Sequence, residues 1–446
     1  MITILQQARE CREQLSAFRK KRNRCRDYTF GRQWNDKVTV EGHRITEFEY
    51  IKREGNVPLK NNLIRRIVRN VLGVFRGELT DIMKEFYSGE LKETARQNSM
   101  EELFSRTMEE FLISGMAVHR KRLCGKDGTS MILTEIVSPG SIFFNTDSRD
   151  VRGWDIRLIG QVHKVDFNDW CKAFVKNSED YRKAREVFDG EGRVLNITEV
   201  WRKEMVAKYL VHDREAGLVR KVPCGKEGNG KMRKKWIMEE VWKYYFITDD
   251  GKILLEGESP YIHGGHPYVL KCYPLLDGEI QSFVGDMIDQ QRYANRLITM
   301  YDWVIRASAK GVLLLPEGAV SPENLQNVAD QWGRFNGVIV YKANPVNPEP
   351  KQISGNMSNL GISELLEIQL KMLEDVSGVN GVLQGNISGG NVSGELYTRQ
   401  TVNAMYSLQD LLATFRIFIK DCATRDLELH RQRSGYHVGN GISKIM

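Results

Sequence analysis

Three stretches of the chain carry residues whose types and spacing could do chemistry. Gly225-Lys-Glu-Gly-Asn-Gly230-Lys231-Met232 meets the GxxxxGK spacing of a phosphate-cradling loop, but Met232 stands where a magnesium-binding hydroxyl is required. The preceding Val219-Arg-Lys-Val-Pro-Cys224 is also a poor buried strand. His263-Gly-Gly-His266 offers two imidazoles to a metal, yet no carboxylate or thiol stands at matching spacing, and a loop before the strand YVLKCYP explains it as well. The acidic pairs Glu101-Glu102, Glu109-Glu110 and Asp249-Asp250 fall on helix faces and turns, and there is no GxSxG elbow. No catalytic, cofactor-binding or metal-ligating residue is assigned, no cofactor is expected, and the chain does not read as an enzyme.

The elements around these residues belong to an ordinary folded protein. The chain has 446 residues, 41% hydrophobic and 28% charged, with 39 glycines against 11 prolines, which excludes global disorder and collagen-like repeats. A net charge of +7 suits an anionic partner without demanding one. Seven scattered cysteines, with no CxxC pair, predict a reduced intracellular protein. Neither a leader nor a run of the ~18 apolar residues that a spanning helix needs is present, so no export or membrane passage is expected. The Asn-x-Ser/Thr triplets at Asn196, Asn356, Asn386 and Asn391 then read as chance matches.

Residues 1–26 predict one amphipathic helix with Leu5, Ala8, Cys11, Leu15 and Phe18 on its apolar side and a basic end from Arg19 to Arg26. That end reads as a solvated helix terminus or subunit contact, with phosphate contact as the sharper alternative. Further helices are predicted from Asn61 to about Gly77 and from an N-cap at Ser99, boxed by Glu102, to Ser114. From Met116 to about Pro274 the chain alternates in short β-rich runs, with helical periodicity mainly in 167–188. Within it, 203–236 is a basic ribbon with a hairpin tip at Gly228 and Gly230, either a solvated surface or a basic contact surface.

From Gly278 the helical period returns. Met287, Gln291, Ala294, Ile298, Tyr301, Ile305 and Ser308 recur at alternating four and three, and flanking apolar residues widen the stripe enough to pack against more than one neighbour. Gly311–Leu315, a helix opening at Ser321-Pro322 with Leu325, Val328, Ala329 and Trp332 on one face, and Gly337–Tyr341 fit a small βαβ unit. After a Pro/Asn linker a helix from about Leu360 carries Leu366 and Leu373 and stops at Ser377-Gly378. Residues 378–394 have no formal charge and six glycines and predict a mobile loop. Ser393 caps a last helix that, if it reaches His430, is roughly 55 Å long at 1.5 Å per residue.

This order of long helix, small α/β module, second helix, glycine-rich loop and another long helix resembles the portal proteins of tailed bacteriophages. The phrases Asp289-Gln-Gln-Arg-Tyr-Ala-Asn295, Ser377-Gly-Val-Asn380, Ser393-Gly394 and Pro139-Gly-Ser-Ile-Phe-Phe-Asn145 add to it. The resemblance implies an α+β fold with a wing (1–278), a first stem helix (279–308), a clip (309–345), a linker and second stem helix (346–377), a channel loop (378–393) and a long helix with a reduced crown (394–446). Residues 431–446 are short for the extended crown of larger members, which puts a pressure-sensing role in question.

By the same resemblance the chain forms a ring, twelve-fold in the family, at one capsid vertex of the virion, assembled in the host cytoplasm, through which double-stranded DNA is packaged and ejected. Asn386, Ser388, Gly389, Gly390, Asn391 and Ser393 would face DNA in the loop. Glu317, Glu323, Asn327 and Arg334 would dock the terminase large subunit and then a head-completion or tail adaptor protein. Met287, Ala294, Ile298, Tyr301, Ile305, Leu366 and Leu373 would pack the stem, with major capsid and scaffolding proteins as further partners and no membrane. The alternatives are an enzyme of nucleic-acid metabolism that grips its substrate with the basic ribbon, or a different ring or adaptor of the virion.

Overall fold

The computed structural model describes residues 3–126, 129–188, 194–213, 218–223, 233–276, 278–310, 312–314, 324, 326–328, 330, 351–353, 361–379 and 405–435. They form a mixed α+β protein. Two compact units are present, one from Met1–Gly31, Leu63–Ile288 and Glu374–Met446, the other from Arg32–Asn62 and Asp289–Leu373.

The first unit starts with two helices where the sequence predicts one. Thr3 caps Ile4–Gln14 with a reciprocal capping box through Gln6, and after Leu15 a second helix runs Ser16–Thr29. The break at Leu15 lets the two segments pack on different neighbours, the first against strands Ile142–Phe144 and Leu195–Asp213, the second against helices Leu63–Phe86 and Met100–Ser114. The Leu63–Phe86 helix runs nine residues past the predicted end, because Leu79, Ile82 and Met83 continue its buried face.

The Met100–Ser114 helix does not form the expected capping box. Ser99 sits at φ 50°, its hydroxyl caps nothing, and Glu102 instead receives Arg106 and Arg76. The amide of Asn98 holds this corner by bonding Thr94 O at 2.9 Å and Ile132 O at 2.8 Å, and so turns the backbone into the left-handed region. At the other end Gly115 has φ +75°, and a Cβ there would lie 1.9 Å from the carbonyl oxygen of Gln281. Only glycine lets the chain pass from helix to strand at that point.

Two antiparallel sheets follow. Met116–Lys126 is the centre of a three-stranded sheet between Thr129–Ile136 and Tyr268–Cys272. The larger sheet places Leu195–Asp213 between Leu158–Val165 and Arg233–Thr248, with Ile142–Phe144 and Ile253–Glu258 outside them. Leu195–Asp213 and Arg233–Thr248 pair from Ile197↔Thr248 to His212↔Arg233, so the basic ribbon is a true antiparallel ribbon. Its cations are answered across the strands, Lys208 by Glu239 at 3.3 Å and Glu258 at 3.0 Å, and Lys203 by Glu240 at 3.6 Å. That pairing accounts for Lys203 and Lys208, whereas Arg214, Lys226 and Lys231 lie outside the described residues. Near its base one core gathers Phe143, Ile159, Val200, Trp201 and Tyr268 under the N-terminal helices, and a second gathers Trp170, Phe188, Ile197 and Phe246 under helices Phe167–Phe174 and Ser178–Val187.

The C-terminal helix, Gln409–Gly435, closes this unit. Phe415 and Phe418 enter an aromatic cluster with Phe75, Phe104, Phe111 and His119, whose ring centroids lie 5.0–6.4 Å apart. Asp426 meets the ammonium of Lys121 with neither side chain exposed, and its other partner is the hydroxyl of Tyr87 at 2.8 Å. Burial and the nearby Lys121 hold His119 neutral, well below its usual pKa, and its Nε2 shares a 2.7 Å hydrogen bond with the Thr107 hydroxyl. Burial also pushes the thiols of Cys272 and Cys422 up to about 12, so they act as small hydrophobes.

In the second unit, strands Lys37–Val40 and His43–Thr46 form a hairpin ahead of helix Glu47–Arg53, and helices Ile288–Lys310 and Ile362–Ser377 supply the length. Two sequence expectations change here. Residues 279–287 are not helical: Glu279–Ile280 pairs with Leu275–Leu276, and a single 3-10 turn precedes the helix. Val312–Leu314 pairs antiparallel with Lys351–Ile353, a segment predicted as linker, whereas Gly337–Tyr341, its expected partner, lies outside the described residues. The phosphate-loop motif 225–232 lies outside them too.

A buried, strongly shifted carboxylate of the larger sheet yields a pH prediction. Burial alone would raise Glu199, but Arg120 at 3.0 Å, His163 at 2.7 Å and the Trp201 indole at 2.6 Å overcome it and bring its pKa to about 2. A carboxylate depressed on folding stabilises above its unfolded pKa, so this contribution is complete above about pH 4.5 and drains away as pH falls towards 2. Chemical denaturation at stepped pH should show stability falling through that window and a flatter profile in Glu199→Gln. Identical profiles would remove Glu199 as the acid-sensitive group.

Candidate assembly surface

The Ile288–Lys310 helix is anchored in its own unit by polar side chains rather than by its apolar stripe alone. Gln291, Asn295 and Thr299, four residues apart, are all buried. Gln291 Nε2 donates to the carbonyl of Asn61 at 2.7 Å, Asn295 Oδ1 accepts the Asn61 N–H at 3.1 Å, and the Thr299 hydroxyl accepts the Leu59 N–H at 3.1 Å. Asn295 Nδ2 donates in turn to Gln33 Oε1 at 2.6 Å, and Gln33 reaches Asn62 at 3.0 Å. An irregular segment that could not satisfy its own backbone is thus paired by one helix edge. Beside it, the buried Glu47 carboxylate receives Arg292 at 3.1 Å and also Arg296.

Leu297 and Val304 pack against Ile362, with Leu366 beside them, and this joins the two long helices of the unit. The rest of both apolar surfaces is left open. Tyr293, Met300, Tyr301, Trp303 and Ile305 on the first helix, and Leu365, Ile368, Leu370 and Met372 on the second, are 36–51% exposed. Nine large apolar side chains left 36–51% exposed on two neighbouring helices are more apolar surface than a monomer usually leaves in water.

The residues singled out from sequence therefore separate. Met287, Ala294 and Leu373 are buried, Ile298 and Leu366 are half-buried, and Tyr301 and Ile305 are exposed at 45% and 51%. Asn327 is exposed on a helical stretch. Glu317, Glu323 and Arg334, and the loop residues Asn386, Ser388, Gly389, Gly390, Asn391 and Ser393, lie outside the described residues. Asn295, Thr299, Gln33 and Glu47 escaped the sequence reading. Their one signal was amide or hydroxyl side chains at a spacing of four along an otherwise apolar stripe.

The His263-Gly-Gly-His266 pair is engaged in its loop. Nδ1 of His263 accepts the Gly265 N–H at 2.9 Å, Nδ1 of His266 accepts the Tyr268 N–H at 3.3 Å, and Arg425 lies 3.2 Å from His263 Nε2. Burial and that guanidinium lower His263 to about 3. Among the described residues no group of three His, Cys, Asp or Glu side chains could hold a metal ion, and no helix is long and apolar enough to cross a membrane.

A family model described as Phage P22-like portal protein matches residues 5–432. No curated protein matches the chain. The amide seam makes a stability prediction of its own: Asn295→Leu keeps the volume but strands Gln33, Gln291 and the Asn61 N–H, and should cost about 2–3 kcal/mol in denaturant titration. The exposed Met300→Leu should stay within about 0.5 kcal/mol. Equal effects of the two would show that the seam carries no stability.

Proposed function

The chain belongs to the P22-like phage portal proteins, a structural family of the virion, and from that premise we propose that it closes into a ring at one capsid vertex and forms the channel for double-stranded DNA. In this reading residues 1–278 are the wing, 279–308 and 346–377 carry the stem, 309–345 are the clip, 378–393 are the channel loop and 394–446 lead to the crown. The ring has twelve subunits. It meets major capsid and scaffolding proteins during assembly, and its clip, with Glu317, Glu323, Asn327 and Arg334, docks the terminase large subunit and later a head-completion or tail adaptor protein.

The observation that carries the ring is the open apolar surface on the two long helices. A heterologous interface repeated around an axis covers that surface on every subunit and leaves no free edge. Packaged DNA must slide, so the lining cannot pair strongly with phosphates, because the counterions released at each contact would add up to tight binding. The uncharged 378–394 segment meets this demand with Asn386, Ser388, Asn391 and Ser393, whose weak contacts exchange readily through water, and with Gly389 and Gly390, which let the backbone follow a moving helix. The work of translocation then comes from the motor's ATPase.

Mass photometry and negative-stain images of the purified chain should show closed rings, and a monomer at every salt concentration would overturn the proposal. Trp303→Glu combined with Ile305→Glu removes about 3–6 kcal/mol of apolar burial per interface and should weaken assembly at least ~100-fold while leaving the thermal transition of the isolated chain in place. Deleting residues 386–392 should leave rings intact but abolish retention or passage of packaged DNA in an in vitro packaging assay. Normal packaging would take the loop out of the mechanism.

A further inference from the structure

The N-terminal helix pair of the first unit carries a cationic face that neither the ring nor the channel loop uses. The Ser16–Thr29 helix holds Arg19, Lys20, Lys21, Arg22, Arg24 and Arg26 against one acid, Asp27. The first four turns of Leu63–Phe86 hold Arg65, Arg66, Arg69 and Arg76 with no acid before Glu78. The two helices pack on each other, and Phe30, just past the end of the first, lies under the Arg65 guanidinium at 5.0 Å.

Some of these charges are spent inside the fold. Arg22 pairs with Glu110 at 2.6 Å, Arg65 with Glu109, and Arg76 with Ser105 and Glu102. Lys20, Lys21, Arg26, Arg66 and Arg69 are exposed, and no ion pair with a described residue engages them. Arg66 and Arg69 on one helix and Arg26 on the other have no carboxylate three or four residues away on their own helices, so no such neighbour relieves their mutual repulsion there.

The shape of this face narrows the partner. Along the outer side of Leu63–Phe86, Arg66 and Arg69 lead to Gly73 and Gly77, where an added Cβ would meet nothing within 4 Å. Two helical glycines with no packing reason cost about 1 kcal/mol each relative to alanine, and they leave the helix surface flat beside the guanidiniums. A protein interface wants a desolvated apolar centre, but among the described residues of these two helices and their ends Phe30 is the one exposed large apolar side chain. A single-strand site wants stacking platforms, and the Phe30 ring is already under Arg65. A regular double helix asks only for spaced guanidinium and ammonium groups on a surface smooth enough for its backbone to approach.

We propose that Arg26, Arg66 and Arg69 form a sequence-independent binding surface for the phosphate backbone of double-stranded DNA, distinct from the channel loop. The assignment rests on the chemistry of this face and not on ring formation. A random-sequence duplex of roughly 30 base pairs, titrated by fluorescence anisotropy from about 50 to 200 mM NaCl, tests it. Each phosphate contact contributes about 0.9 to the slope of log K against log salt, so Arg26→Gln, Arg66→Gln and Arg69→Gln together should lower the slope by roughly 2–3. Across that range the wild type should then lose roughly 40-fold more affinity than the triple variant. Lys172→Gln with Lys183→Gln, on other helices of the same unit, should change nothing. An unchanged slope in the triple variant, or an equal drop in the control, overturns the proposal. So does a triple variant that keeps its slope but assembles into smaller species by mass photometry, because the face would then be a contact between copies of the chain.

Discussion

A lysine and an aspartate shut away from water link the C-terminal helix to the three-stranded sheet of the first unit. Lys121 stands in the middle strand of the three-stranded sheet and Asp426 on the C-terminal helix, more than 300 residues later, and both are completely buried. Taking two charges out of water is repaid only when the geometry is good and the remaining polar atoms find partners, and here Tyr87 bonds Asp426 Oδ2 and Thr134 accepts from Lys121, while Asp426 Oδ1 is buried without a hydrogen bond among the described residues. Such a pair does little for net stability compared with a hydrophobic substitute. What it does is specify register, because a helix shifted by one turn would leave a bare charge in an aromatic core. The cluster around Phe415 and Phe418 supplies the attraction, and the ion pair selects which of several apolar docking positions is taken.

The second unit solves a similar problem with neutral groups. Residues 59–62 form no helix or strand, so their backbone needs outside partners, and the Gln291, Asn295 and Thr299 edge of the long helix supplies them. Using that edge for hydrogen bonds withdraws it from apolar packing. The hydrophobic residues that remain on the helix therefore divide into a narrow contact through Leu297 and Val304 and a broad exposed flank. In a member of the portal family these exposed side chains are what a neighbouring subunit can cover.

Charge is distributed according to the same logic of use. The β-ribbon spends its lysines on cross-strand glutamates, whereas the N-terminal helices leave theirs in solvent. Composition treats the two regions alike, as basic stretches. Cross-strand partners exist only after Leu195–Asp213 has paired with Arg233–Thr248, and a helix surface offers such neighbours only at three or four residues along its own chain. Around Lys20, Lys21 and Arg26 those positions in Ser16–Thr29 hold neutral residues or further arginines, and no carboxylate.

The sequence by itself determined the elements whose reasons are local. Apolar spacing near 3.6 located most of the helices, short β-rich runs between turn clusters located the main strands of residues 116–274 but not Ile253–Glu258, and Gly115 and Gly378 marked helix ends because a left-handed residue there favours glycine. The order of those elements was enough to suggest the family, and the family match agrees with it. Tertiary structure decided what depends on partners distant in the chain. The break at Leu15, the uncapped Ser99, the strand at Lys351–Ile353 and the buried faces of Gln291 and Asn295 are all set by residues tens to hundreds of positions away. A local pattern states that a side chain can be buried. Which neighbour buries it, and whether a polar group there finds its hydrogen bond, is settled only when the whole chain has packed.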